Sequence, residues 1–133
     1  MKSTNPHLAA WHEYTLADDP DMLQAQLADD ATFHSPVVHT PQQGRAIVFA
    51  YLRAASHVLG GESFEYLREF DCGNSAVLEF RTELDGIMIN GIDMITWNDE
   101  GKIIDFKVMV RPLQAIQKVH GMMGEMLKRR AKA

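Results

Sequence analysis

The chain has 133 residues, a net charge of −5 and 46% hydrophobic residues. That length supports one domain, 1–133, around a single core, and that apolar content excludes a disordered chain. The negative balance offers no bulk attraction to nucleic acid or anionic membrane, and no apolar run reaches the roughly 18 residues of a membrane span. Segment Met1–Pro6 lacks the apolar region of a signal peptide, so a cytoplasmic location is expected. Cys72 is the only cysteine, which excludes an intrachain disulfide.

The N-terminal pattern predicts a helix from Pro6 to about Ala17, with Asn5 as N-cap and Pro6 at the first helical position. Leu8, Trp11 and Thr15 share one face, with Tyr14 beside them. Asp19-Pro20-Asp21 starts a second, short helix carrying Met22, Leu23 and Leu27. Ala28-Asp29-Asp30 reads as a turn into a strand from Ala31 to Ser35, which Pro36 ends. Val37–Gln43 reads as a loop, and Gly44 opens a third helix that runs to about Leu59. Its expected apolar face is Ile47, Val48, Tyr51, Leu52 and Ala55, and Gly60-Gly61 stops it.

Strands then dominate. Ser63–Phe70 is moderately strand-like, and Ala76–Leu84 alternates cleanly, with Leu78, Phe80, Thr82 and Leu84 on one face. Asp85-Gly86 is a hairpin signal leading into Ile87–Trp97, and Asn98–Gly101 turns the chain into a last strand, Lys102–Val110. After Pro112 a terminal amphipathic helix carries Leu113, Ile116, His120, Met123 and Leu127. Its apolar surface extends to Val119, Met122 and Met126, which favours a second buried face. Two short helices, a strand, a long helix and consecutive strands predict an α+β domain: a curved antiparallel sheet wrapped around helices, enclosing a cavity against its concave face.

Asp93 is the anomaly of this pattern. It sits among Ile92, Met94 and Ile95, where a buried anion is costly, so it must be solvated, paired or protonated. Alternation puts Ile95 and Trp97 on its face and directs Ile104, Phe106, Val108 and Val110 of the last strand to the same cavity. This lining suits an apolar or aromatic small molecule. His34 should point away from it, His39 lies in the loop at its mouth as a candidate mobile base, and His12 is off the main stripe of its helix; surface placement is the default expectation for each. No histidine pair has metal spacing, and Asp18, Asp19, Asp21, Asp29 and Asp30 are accounted for by capping and turns, so neither metal nor cofactor is expected. The basic run 128–132 reads as a solvated helix end.

Ala28–Pro36 followed by Gly44, and Ile92-Asp93 followed by Trp97–Ile103, resemble the NTF2-like superfamily, in particular its SnoaL-like and ketosteroid-isomerase-like branches. The resemblance implies a cystatin-like cone, a homodimer and a pocket for an apolar ring compound. Against ketosteroid isomerases, Asp93 falls at the protonated aspartate of the oxyanion hole. Trp11 stands where that family has a tyrosine, and Ser35 stands where it has the base. An indole only donates a hydrogen bond, and serine is no base on its own. Limonene-epoxide hydrolases need an Asp-Arg-Asp set; Arg81-Thr82-Glu83 is similar to its first half, but Val108 stands near the partner position. The expected site is therefore Asp93 as acid/base group, with Trp11, Tyr14, Phe33, Ser35, Tyr51, Phe80, Ile95, Trp97, Phe106 and Val108 around the substrate. Three readings stay open: an isomerase, cyclase or hydratase, a non-catalytic binder of an apolar ligand, and a packed-out dimerisation module.

Overall fold

The computed structural model describes residues 4–132, and side chains as far as 128. Residues 1–3 lie outside the described residues, and the basic run 128–132, expected as a solvated helix end, has its side chain described only at 128. Among the described residues the chain forms α1 (Pro6–Ala17), α2 (Pro20–Gln26), β1 (Leu27–His34), β2 (Gln42–Gln43), α3 (Arg45–Leu59), β3 (Glu65–Asp71), β4 (Ser75–Leu84), β5 (Ile87–Trp97), β6 (Ile103–Arg111) and α4 (Leu113–Lys132). No described helix is long and apolar enough to cross a membrane.

Both N-terminal helices start on capping chemistry. The Asn5 side chain accepts from the His7 N–H at 3.0 Å, and that of Asp19 accepts from the Asp21 N–H at 2.9 Å. The β4–β5 hairpin turns on Asp85 and Gly86, both at positive φ, the pairing that matches strand twist.

The strands form one sheet in the order β2-β1-β6-β5-β4-β3. Neighbours are antiparallel except β1 and β6, which run parallel. Register shifts bend this sheet. β3 has one extra residue between Tyr66 and Arg68, and β6 has one opposite the Thr96–Trp97 step. Such bulges increase local twist and reverse the face a strand presents. The concave side carries the inward rows Ala76, Leu78, Phe80 and Thr82 of β4, and Ile89, Gly91, Asp93, Ile95 and Trp97 of β5. Helices α1, α3 and α4 cover it.

Several expectations shift in detail. Ala28–Asp30 belongs to β1, whose register against β6 is irregular between Leu27 and Thr32, and Gln42–Gln43 is a short strand paired with Thr32–Phe33. In α3, Ile47 is exposed and Arg53 is buried, because Arg53 is held by polar partners on α1 and its C-cap. In α4 the buried stripe is Ala115, Val119 and Met123, while Leu113 and His120 are exposed. The small Ala115 seats the helix on a face rotated from the expected one, and Met122, Met126 and Leu127 pack at its side.

Candidate active site

A cavity of about 480 Å³ opens between the concave face of the sheet and helices α1, α3 and α4. Aromatic rings supply much of its wall. Trp11 lies 5.0 Å from Phe106 between ring centroids, Phe33 is stacked on Phe106 at 6.2 Å, and Phe64 on Phe80 at 5.3 Å. Gly91 makes this packing possible. A Cβ there would stand 2.5 Å from both the Phe80 ring and the Met109 carbonyl oxygen.

Asp93 faces this cavity from the middle of β5 with 8% of its surface exposed. Tyr66 on β3 donates its O–H to Asp93 Oδ2 at 2.7 Å. The Trp11 indole N–H donates in turn to the Tyr66 oxygen at 3.0 Å. Burial pushes the Asp93 carboxyl up to about 7, against the opposing pull of the Tyr66 hydrogen bond. Burial and the neighbouring Asp93 likewise push the Tyr66 phenol well above its ordinary value. The outcome near neutrality is a carboxyl that exchanges its proton readily and a phenol that stays protonated.

A second polar cluster borders the cavity from the helices through Tyr14, Asp18 and Ser56, with Arg53 outside the lining. Arg53 donates to the Tyr14 hydroxyl at 3.2 Å and to Asp18 Oδ1 at 2.8 Å. Tyr14 and Ser56 are 2.8 Å apart, and since Ser56 donates to the Leu52 carbonyl, Tyr14 is the donor between them. Burial opposes the Arg53 charge, but the bonds to Tyr14 and Asp18 outweigh it and hold the guanidinium above its ordinary value.

Of the residues expected around the substrate, Trp11, Tyr14, Phe33, Ser35, Phe80, Phe106 and Val108 line the cavity with Asp93. Tyr51, Ile95 and Trp97 do not. Tyr51 packs on Phe33 with centroids 5.3 Å apart and stays outside the lining. Ile95 is wholly buried, and Trp97 stacks on His7 at 5.5 Å. Both are core residues, because β5 continues past the cavity to where α1 begins. Thr82, Leu84 and Ile104 are also absent from the wall; the β6 bulge gives the inward position to Ile103. His39 is exposed and borders an adjoining shallow hollow with His34, which bonds Asp105 at 2.9 Å. Arg81 and Glu83 are exposed, and Arg81 is paired with Glu65.

Sequence reasoning passed over Tyr66, Arg53 and Glu69, and it placed His12 at the surface. His12 is no surface histidine: it lines the cavity and meets Glu69 at 2.6 Å. The β3 bulge hides this arrangement. Simple alternation sends residues 66 and 69 to opposite faces, whereas the extra residue turns both inward. Among the described residues no three His, Cys, Asp or Glu side chains gather in a metal-holding group.

The fold and this cavity define a class, the NTF2-like cone with an enclosed apolar pocket. Residues 7–106 match the SnoaL-like domain, and the chain belongs to that family. A steroid delta-isomerase from Pseudomonas aeruginosa is 36% identical, with a TM-score of 0.90 over 98% of this chain and 97% of that one. A protein with a cystatin-like fold from Silicibacter pomeroyi DSS-3 is 28% identical, with a TM-score of 0.88 over 98% and 92%. A de novo designed protein with a curved β-sheet shares the fold, at 16% identity and a TM-score of 0.69 over 91% and 99%. No curated protein matches the chain.

Proposed function

We propose that this protein is an acid/base catalyst acting on an apolar ring ketone, and that Asp93 is its proton donor. The observation that carries this reading is the chain Trp11 N–H to Tyr66 O–H to Asp93, ending on a carboxyl near neutral pKa at an aromatic cavity. In the neutral form the Asp93 proton resides on Oδ1, the oxygen not engaged by Tyr66. From there it can be donated to a ligand carbonyl as negative charge develops, in a site that water does not screen. The 36% identity to a steroid delta-isomerase supports a β,γ-unsaturated ketone as substrate and its conjugated isomer as product.

The test is conversion of cyclohex-3-enone and of a Δ5-3-oxosteroid, followed by the absorbance of the conjugated enone. The wild type should convert at least one of them, and Asp93→Asn should lower kcat by about 10²-fold or more. Binding of both ketones with no conversion would instead establish the second reading, a non-catalytic binder. That reading is supported by Ser35, a serine that the resemblance to ketosteroid isomerases puts where that family has its base.

The homodimer expected from the family belongs to the same proposal. Phe70, Met88 and Met109 are large apolar side chains exposed on the outer face of the sheet, where a second copy would cover them. Sedimentation equilibrium at a mass of one chain would sink this part.

A further inference from the structure

We infer that His12, oriented by Glu69, is the proton acceptor of the site; this rests on the acid/base reading above. The titratable side chains bordering the cavity are His12, Tyr14, Asp18, Glu65, Tyr66 and Asp93. Asp18 is taken up by Arg53 and Glu65 by Arg81, and both carboxylates are more than half exposed, which puts them at the rim. Tyr14 and Tyr66 already donate to Ser56 and Asp93. Among the described residues bordering the cavity, His12 is the group left that can take a proton beside Asp93.

Its setting suits that role. His12 Nε2 lies 2.6 Å from Glu69 Oε1, and the two side chains are only 13% and 12% exposed. A carboxylate at that distance fixes Nε2 as the protonated nitrogen and leaves the lone pair on Nδ1. Among the described residues no protein group engages Nδ1. The imidazole meets the Tyr66 ring edge-on at 5.6 Å, so the acceptor stands beside the ring whose hydroxyl bonds the donor Asp93. Glu69 is a positioning residue: it holds the tautomer and stabilises the imidazolium once the proton arrives.

The step balances without a co-reactant. His12 Nδ1 takes a proton from the carbon between the ketone and the alkene. The C–H electrons form a new C=C bond as the carbonyl oxygen takes the Asp93 proton, giving a dienol. Asp93 then recovers the proton from the dienol oxygen, the carbonyl reforms, and the imidazolium returns its proton to the far alkene carbon. One hydrogen has moved and one double bond has migrated.

The experiment uses the whole chain with cyclohex-3-enone and the Δ5-3-oxosteroid, scoring conversion, binding by tryptophan fluorescence, and deuterium uptake at the α-carbon in heavy water. His12→Ala should lower kcat and α-deuteration by about 10²-fold or more with binding retained, and added imidazole should restore part of the rate. His12→Gln keeps a hydrogen-bond donor for Glu69 without a basic lone pair. It should fold, bind and lose the same rate, which covers the outcome that His12→Ala does not fold. Glu69→Gln should lower kcat about tenfold with KM unchanged. A folded His12→Gln retaining more than about a third of wild-type kcat overturns the His12 assignment and leaves the Asp93 reading standing. A wild type that binds both ketones but neither converts nor deuterates them overturns both.

Discussion

Asp93 keeps a proton that the unfolded chain would lose, and this sets the sign of a pH effect. Its carboxyl titrates from an ordinary value of 3.8 when unfolded and about 7 when folded. Between those values the native state binds more protons than the unfolded state, so stability falls as pH rises from about 4 to 7 and levels off above. That span corresponds to a loss on the order of 4 kcal/mol. Asp93→Asn should flatten the profile, and at pH 8 the variant should unfold at a higher denaturant concentration than the wild type. Urea titrations between pH 4 and 8 measure this directly, and an unchanged slope in the variant would show that another group is responsible. Tyr66→Phe removes the hydrogen bond that holds the Asp93 value down, and it also strands the Trp11 N–H. The infrared band of the protonated Asp93 carboxyl should then persist to higher pH than in the wild type. Stability should drop by about 1–3 kcal/mol, the usual cost of leaving a buried polar group unpaired.

At the scale of elements, the strands do more than carry side chains. Gly91 lies in the inward row of β5 one step before Asp93, and its missing Cβ is the room that Phe80 occupies. Gly91→Ala forces the methyl against a backbone carbonyl as well as the ring, so the sheet cannot relieve it by rotating Phe80 alone. The expected cost is about 1–3 kcal/mol, with weaker binding of apolar ketones because Phe80 is pushed toward the cavity. Thermal denaturation and fluorescence titration of that variant test both halves. The bulges work in the same way. They decide which side chains of β3 and β6 reach the interior, and they leave no mark in the alternation of apolar residues.

For the whole molecule, the order of elements, the hairpin at Asp85-Gly86 and the placement of Asp93 on a concave face were legible in sequence, because capping, turn chemistry and period-two patterning are local signals. The polar half of the site was not. Arg53 is buried only because Tyr14 and Asp18, some 35 or more residues away along the chain, receive its guanidinium. Tyr66 and Glu69 face inward together only because of one extra residue in β3. Long-range partnership and broken alternation cannot be read from periodicity. Trp97 and Ile95 show the opposite error: they share Asp93's face, yet the cavity ends before it reaches them. At this scale a ketone that fills the cavity at 100 times its dissociation constant should stabilise the fold by about 2.7 kcal/mol. It should raise the melting temperature by a few degrees, and Asp93→Asn should retain most of that shift while losing turnover.

Helix α1 is pegged to the rest of the protein by polar contacts as well as by its buried Leu8, Trp11 and Tyr14. Asn5 bonds Asp71 and the Gly73 carbonyl, Trp11 bonds Tyr66, His12 bonds Glu69, and Tyr14 meets Ser56 and Arg53. Three of those pegs are cavity-lining residues, so the helix that roofs the pocket also carries part of the proposed machinery, His12, while Asp93 and Tyr66 stand on the sheet. A guest molecule that engages Asp93 and His12 thereby clamps the roof. Amide hydrogen exchange in 6–17 should slow on ketone binding more than exchange in β4 or β5, making α1 the part of the fold that reports occupancy.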